Sequence, residues 1–181
     1  IDRPLTWDEV SDLRAHAKAS SLWYATSYSR NSSQITEKLL KKGYLLETVT
    51  AFDKEGKKFT VDLIGEVLEY LKDLSVVDDK HYAESFVASK MRAGLGINRI
   101  RRELMFKGIS SALIDEVMVE IEDSELNDAF ETTLRRLMNA SSFTRLSSEP
   151  AKQRQKLIQG LLAKGFSYSD ISDKLSYIEW D

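Results

Sequence analysis

The residues of this chain that could bind another molecule are mostly cationic and lie in one stretch. Residues 80–108 hold seven basic side chains and only two acidic ones, Glu84 and Glu103. The basic residues of this block are Lys80, Lys90, Arg92, Arg99, Arg101, Arg102 and Lys107. Guanidinium groups pair well with carboxylates and with phosphates, so the cluster predicts contact with an acidic protein surface or with a nucleic-acid backbone.

An acidic block follows directly. Residues 109–131 hold eight Asp and Glu residues and no Lys or Arg, so the net charge of −3 conceals two segregated blocks. We interpret the acidic block mainly as a solvated helix face. The alternatives are that it repels DNA or pairs with the basic block of a neighbouring copy.

Residue patterns that support catalysis are missing from the sequence. The two histidines, His16 and His81, lie far apart, and no serine occupies a nucleophile elbow. The segment Gly94-x-Gly96 is not a phosphate loop, because no strand precedes it and no Gly-Lys-Ser/Thr follows it. The pair Asp78-Asp79 is better explained as a helix cap than as a metal site. We therefore expect no catalytic residue, no metal, no cofactor and no enzymatic activity.

Two helices around a glycine-rich turn should position the basic block. The first begins at Asp78, and its predicted buried face comprises Ala83, Phe86, Val87 and Met91. Gly94 and Gly96 should end it, since glycine accepts the left-handed conformation found at helix ends.

The second helix is predicted from Ile97 to Lys107. Ile97, Ile100 and Leu104 share one side of it. At about 100° per residue, Arg99, Arg102 and Phe106 gather on the far side, which predicts an exposed Phe106 beside two arginines.

The bulk properties are those of a cytosolic helical protein. The 181 residues include no cysteine, only two prolines and a 42% hydrophobic share. No apolar run approaches the length of a membrane span, and no signal peptide opens the chain. We expect a cytoplasmic protein that does not contact the membrane, and a monomer.

An internal repeat emerges from short motifs in which a lysine precedes a glycine. The motifs are Lys41-Lys42-Gly43-Tyr44, Phe106-Lys107-Gly108-Ile109 and Ala163-Lys164-Gly165-Phe166. Apolar residues downstream of the second and third motifs correspond at an offset of about 57 residues, and the first copy carries an insertion of about 15 residues. Such a period, with three helices per copy, is typical of a tandem helical array.

The predicted fold is therefore all-α, with three tandem three-helix repeats. The repeats are expected at 7–74, 77–122 and 124–181, with an insertion near 48–59 and a mobile serine-rich linker at 139–150. We interpret the insertion as a loop or a small hairpin. The first helix is expected to break near Ser20-Ser21.

Two segments of the middle repeat carry a resemblance to a known family. They read VDDKHYAESF (77–86) and GLGINRIRRELMFKGI (94–109). They resemble the RecX family, bacterial regulators of the RecA recombinase, and weaker similarity extends over roughly residues 12–178. The resemblance implies an elongated, curved array that lodges in the groove of the RecA–single-stranded DNA filament. It further implies inhibition of the ATPase, strand-exchange and co-protease activities of RecA.

Seven residues are candidates for contact with RecA or DNA, each with a structural alternative. They are Lys90, Arg92, Arg99, Arg101, Arg102, Phe106 and Lys107. The arginines could form a solvated face paired with Glu103, and Lys90 and Arg92 could simply favour a helix C-terminus. Phe106 could pack against a neighbouring repeat. Lys107, like Lys42 and Lys164, could act in capping.

Three functions remain open from the sequence. The first is a non-enzymatic regulator of the RecA filament, with single-stranded DNA as a further candidate partner. The second is a stand-alone DNA-binding protein, since three-helix units with a basic second helix resemble helix-turn-helix modules. The third is a helical scaffold with no link to DNA.

Overall fold

The computed structural model describes residues 3–45, 48–145 and 149–178. Within these ranges the chain is mostly helical, which confirms the predicted all-α class with tandem helical repeats. In chain order the elements are α1 (Trp7–Ser27), α2 (Ser32–Lys41), β1 (Val49–Phe52), β2 (Lys58–Val61), α3 (Leu63–Asp73), α4 (Asp79–Arg92), α5 (Ile97–Phe106), α6 (Ser111–Val119), α7 (Asp123–Met138), α8 (Ser141–Thr144), α9 (Pro150–Lys164) and α10 (Tyr168–Leu175). No helix among the described residues is both long and apolar enough to span a membrane.

Tertiary contacts divide the chain into two compact units, residues 1–82 and 83–181. In the first unit α1 runs unbroken for 21 residues, so the predicted break near Ser20-Ser21 is wrong. Ser21 lies on the buried face of α1 between Ala17 and Ala25, where small side chains allow α2 and α3 to pack closely. The Arg14 guanidinium also ties α1 to α3, through hydrogen bonds of 2.6 and 2.7 Å to the Glu66 carboxylate.

The insertion in the first repeat forms a small antiparallel hairpin, the second of the two alternatives that its sequence left open. β1 pairs with β2 from Val49 opposite Val61 to Phe52 opposite Lys58. Asp53 stabilises the turn, because its carboxylate accepts hydrogen bonds from the backbone N–H groups of Glu55 and Lys57. A single parallel bridge joins Leu5 to β1.

Equivalent residues of the second and third copies share the same burial, and one glycine has the same backbone conformation in all three copies. Ile114 and its counterpart Ile171 are fully buried. The glycines that follow α2, α5 and α9 all have positive φ angles: 89° at Gly43, 78° at Gly108 and 94° at Gly165. A left-handed glycine therefore ends the middle helix of each copy, which explains why the lysine-glycine motif repeats. The limits proposed for the three repeats stay a prediction.

The segment 139–150 is not simply a mobile linker. Residues 141–144 form the short helix α8, and Phe143 is buried with 8% of its surface exposed. Burial of this aromatic ring fixes a stretch whose serines alone predicted mobility. Residues 146–148 of the predicted linker lie outside the described residues.

Candidate partner-binding site on α5

Helix α4 begins as its sequence predicts. The Asp78 carboxylate accepts hydrogen bonds from the backbone N–H groups of Lys80 at 2.9 Å and His81 at 3.0 Å. The buried residues of α4 are Ala83, Val87 and Met91.

Phe86 was predicted to lie on the buried face of α4, and that prediction is wrong. Its ring is half-buried, and the ammonium groups of Lys90 and Lys107 lie 4.9 and 5.3 Å from the ring centroid. Phe86 therefore forms cation–π contacts with both lysines. These contacts place two of the candidate cations beside one aromatic ring.

The two glycines between α4 and α5 serve different purposes. Gly94 has a φ of +81°, the left-handed conformation expected at the end of a helix. Gly96 instead has φ −81° and ψ 158°, an extended conformation that any residue adopts, so its predicted role is wrong. A Cβ at Gly96 would lie 2.4 Å from the carbonyl carbon of Gly165 and 2.5 Å from the backbone nitrogen of Phe166. Glycine is required there because two backbones approach each other.

This close approach joins the N-terminus of α5 to the C-terminus of α9. The backbone N–H of Gly96 donates to the Lys164 carbonyl at 2.9 Å, and that of Asn98 donates to the Gly165 carbonyl at 3.1 Å. Nη1 of Arg99 lies 3.4 Å from the Ala163 carbonyl oxygen. Backbone N–H groups at the start of α5, which have no partner within that helix, thus bond carbonyl groups at the end of α9, which also lack one. The positive partial charge at the start of α5 and the negative partial charge at the end of α9 attract each other as well.

Helix α7 holds the same turn from another side. The buried Thr133 hydroxyl donates a hydrogen bond to the Gly94 carbonyl. The Arg136 guanidinium donates to the Ala93 carbonyl at 2.7 Å. Contacts from α7 and α9 therefore fix the position and direction of α5.

Three faces of α5 have different surroundings. Ile100 and Leu104 are fully buried, while Arg99 and Arg101 lie on opposite flanks and are partly exposed. A row of exposed residues lies opposite the core, and we call it the α5 stripe: Asn98, Arg102, Met105 and Phe106. Phe106 is 92% exposed, as its helical position predicted. Asn98 and Met105 were missed, although the same 100° periodicity places them on this face.

Internal carboxylates engage several of the predicted contact residues. Glu103 pairs with Lys90 at 2.9 Å and with Arg99 at 3.0 Å, and Arg101 pairs with Asp115 of α6. The hydrogen bond from Lys90, together with that from Arg99, lowers the pKa of the Glu103 carboxyl below its ordinary value of 4.5. These ion pairs match the alternative in which the basic block forms a solvated face paired with nearby carboxylates. They leave fewer cations available to a partner.

Arg92 and Arg102 are exposed and have no ion pair within the described ranges. The Arg102 Nε donates to the Asn98 carbonyl at 3.2 Å. Arg92 lines a cavity of about 350 Å³ between α4 and α7 that also includes Glu125 and Asp128. Lys107 is half-buried against Phe86.

In the part of the chain that the structure describes, no cluster of three or more His, Asp or Glu side chains could hold a metal ion.

Comparison with known proteins identifies the family. A family model described as "RecX, second three-helix domain" matches residues 78–118, and "RecX, third three-helix domain" matches residues 142–175. "Regulatory protein RecX" of Haemophilus influenzae (strain PittEE) is 30% identical over 130 residues, which cover 70% of this chain and 82% of that protein. The chain belongs to the RecX family. The second RecX domain thus contains α4, the glycine turn and the α5 stripe.

Other RecX proteins match almost the whole chain. "Regulatory protein RecX" of Lactococcus lactis subsp. cremoris (strain SK11) is 30% identical over 187 residues, covering 99% of this chain and 63% of that protein. The chain thus spans less than two thirds of the length of this relative. The crystal structure of RecX from Lactobacillus salivarius superposes with a TM-score of 0.73 at 25% identity, covering 93% of this chain and 99% of that one. A second RecX crystal structure gives a TM-score of 0.72 and covers 92% and 74% of the two chains.

Proposed function

We propose that this protein is a non-enzymatic regulator of the RecA recombinase. It binds the RecA–single-stranded DNA filament and inhibits its ATPase, strand-exchange and co-protease activities. It acts as a monomer in the cytoplasm, the compartment of the bacterial chromosome, and so limits recombination and DNA repair. Membership of a family whose relatives are named regulatory proteins supports this proposal.

The α5 stripe is the observation that carries the proposal. It presents a 92% exposed phenylalanine next to an exposed arginine, one helical turn apart. Arginine and large aromatic side chains are frequent among the residues that dominate protein interfaces. Because α7 and α9 already fix α5, little conformational freedom is lost when a partner binds the stripe.

Arg99 has contacts within the protein, so Arg102 is the better arginine with which to test partner binding. Arg99 packs over Gly165 and pairs with Glu103, so its reversal to glutamate would replace that ion pair by two carboxylates one helical turn apart. Arg102 lies on the solvent side of α5, and its replacement leaves those contacts intact. Arg102 and Phe106 are therefore the sharper probes of partner binding.

The test measures inhibition of RecA ATPase on single-stranded DNA. We expect Arg102→Glu combined with Phe106→Ala to weaken inhibition by roughly 100-fold, since two interface residues of this kind each contribute at least about 1–2 kcal/mol. The matched control, Arg135→Glu with Val119→Ala, reverses the charge of one exposed arginine and removes one exposed apolar side chain of the same unit. Equal inhibition by both variants would refute the assignment of the α5 stripe.

The position of α5 also weighs against the stand-alone DNA-binding function. A recognition helix of the helix-turn-helix type contacts bases with its N-terminal residues. Here the first turn of α5 is covered by the carbonyls of Lys164 and Gly165. Sequence-specific duplex binding through α5 would require that junction to open, whereas a contact along the α5 stripe does not.

A further inference from the structure

A cluster of aromatic and basic side chains lies at the junction of α1 and α2 in the first unit. The guanidinium carbon of Arg30 lies 4.7 Å from the ring centroid of Tyr24 and 5.2 Å from that of Tyr28. The Lys38 ammonium lies 5.3 Å from the centroid of the same Tyr24 ring. We call these four residues the Tyr24 cluster. Arg30 therefore forms cation–π contacts with both tyrosine rings, and the Tyr24 ring contacts both Arg30 and Lys38.

The cluster is open to solvent on one side. Tyr28 is 70% exposed, and Trp23, next to Tyr24 in sequence, is 72% exposed. The Nε atom of Arg30 is buried and finds no hydrogen-bond partner among the residues that the structure describes. In the described part of the chain, this guanidinium lies against the Tyr24 and Tyr28 rings, and the Tyr28 side remains largely exposed. An exposed aromatic ring next to cations is the arrangement with which single-stranded nucleic acids are bound.

The sequence that surrounds the cluster is rich in basic residues, which favours a polyanion. Residues 15–45 contain Lys18, Arg30, Lys38, Lys41 and Lys42, five basic residues against the single acid Glu37. Glu37 pairs with Lys41 at 2.5 Å. The same stretch contains four aromatic residues, Trp23, Tyr24, Tyr28 and Tyr44. Basic residues interleaved with aromatic ones indicate nucleic-acid binding, and this second basic block is separate from the one at 80–108.

We propose that the Tyr24 cluster is a binding site for single-stranded nucleic acid. An unpaired base stacks on the exposed face of the Tyr28 ring, and the cations of Arg30 and Lys38 attract the adjoining phosphates. A duplex cannot use this site in the same way, because its bases are stacked on each other and present no free face. The inference extends the proposed function, since the filament carries a single strand, but binding at this site needs no recombinase.

The experiment measures binding of the protein alone to a labelled strand of about 16 deoxythymidines by fluorescence anisotropy. We expect Tyr28→Ala to weaken binding by roughly 5- to 100-fold, the loss of one stacked base. Tyr28→Phe keeps the ring and should bind like the original protein. Tyr28→Leu keeps apolar bulk without a ring and should bind like the alanine variant.

Tyr177→Ala is the matched control, because it removes a tyrosine that is 87% exposed in the second unit. Its affinity for the strand should not change. A duplex of the same length should bind more weakly and should not distinguish Tyr28→Ala from the original protein. Circular dichroism of each variant checks that helicity is kept.

Two outcomes would overturn the proposal. The first is a failure of the original protein to bind the strand at low salt. The second is equal affinity of Tyr28→Ala and the original protein. If that equal affinity came with weaker inhibition of RecA, Tyr28 would be a contact to protein. If Tyr28→Ala lost strand binding but still inhibited RecA ATPase, the result would support the site. The proposed function is tested separately, by measuring how strongly the α5-stripe variant inhibits RecA ATPase.

Discussion

Replacement of Gly96 by alanine should destabilise the second unit more than its backbone conformation suggests. The φ of −81° suits alanine, so no conformational strain arises. The added Cβ would, however, lie 2.4 Å from the Gly165 carbonyl carbon, 2.5 Å from its oxygen and 2.5 Å from the Phe166 nitrogen. All three are backbone atoms, which cannot rotate away as a side chain can. The junction between α5 and α9 must therefore separate.

The expected loss in the free energy of unfolding follows from the contacts that are disrupted when α5 and α9 separate. Overpacking in a tight contact costs roughly 1–3 kcal/mol. The two hydrogen bonds across the junction, at 2.9 and 3.1 Å, each contribute about 0.5–1.5 kcal/mol. We therefore expect the free energy of unfolding to fall by roughly 3 kcal/mol.

Gly43→Ala provides the opposite case. Gly43 has a φ of +89°, which strains alanine, but apart from its chain neighbours none of the described residues lies within 4 Å of the added Cβ. Its cost should be about 1–2 kcal/mol from conformation alone. Urea unfolding followed by circular dichroism gives both free energies, and hydrogen exchange of the amides of α5 locates the effect of Gly96→Ala. A smaller loss for Gly96→Ala than for Gly43→Ala would refute the argument from backbone contact.

Two further predictions concern the same region. Thr133→Val removes the hydroxyl that donates to the buried Gly94 carbonyl, so the free energy of unfolding should fall by about 1–2 kcal/mol in urea titrations; no loss would mean that the carbonyl has another donor. The pKa of Glu103 is lower in the folded state than its ordinary value of 4.5. The stability that its ion pairs contribute is therefore present above pH 4.5 and is lost as the pH falls through the lower pKa of the folded state. Glu103→Gln should therefore lose less stability than the original protein between neutral and acidic pH in thermal unfolding, and parallel pH profiles would contradict this.

Local patterns in the sequence predicted most of the helices and most of the residues that face the core. The burial of Ile100 and Leu104 and the exposure of Phe106 followed from their spacing on α5, since one residue advances the helix by a fixed angle. The glycines that end α2, α5 and α9 could be predicted for a similar reason. A left-handed residue after a helix is a local requirement, and glycine meets it at the lowest cost.

Contacts between residues distant in sequence were not predictable in this way. Nothing in its neighbours distinguishes Gly96 from Gly94, because the reason for Gly96 is the backbone of Gly165, 69 residues away by their numbers. Likewise, Arg99 and Arg102 lie on the same predicted face, yet Arg99 packs against the end of α9. The serine-rich stretch before α9 looked mobile because Phe143, a large apolar residue within it, finds a core only in the folded chain.

The sequence by itself determined the helical class and the exposure of Phe106, because both depend on spacing within one helix, and it showed the repeated three-helix pattern through motifs that recur along the chain. Only the tertiary structure decided which cations are engaged by Glu103 and Asp115, which leaves Arg92 and Arg102 as candidates for a partner. It also decided that Arg30 touches both Tyr24 and Tyr28. The physical reason is that pairing depends on distances between side chains, and these distances are set when the helices pack.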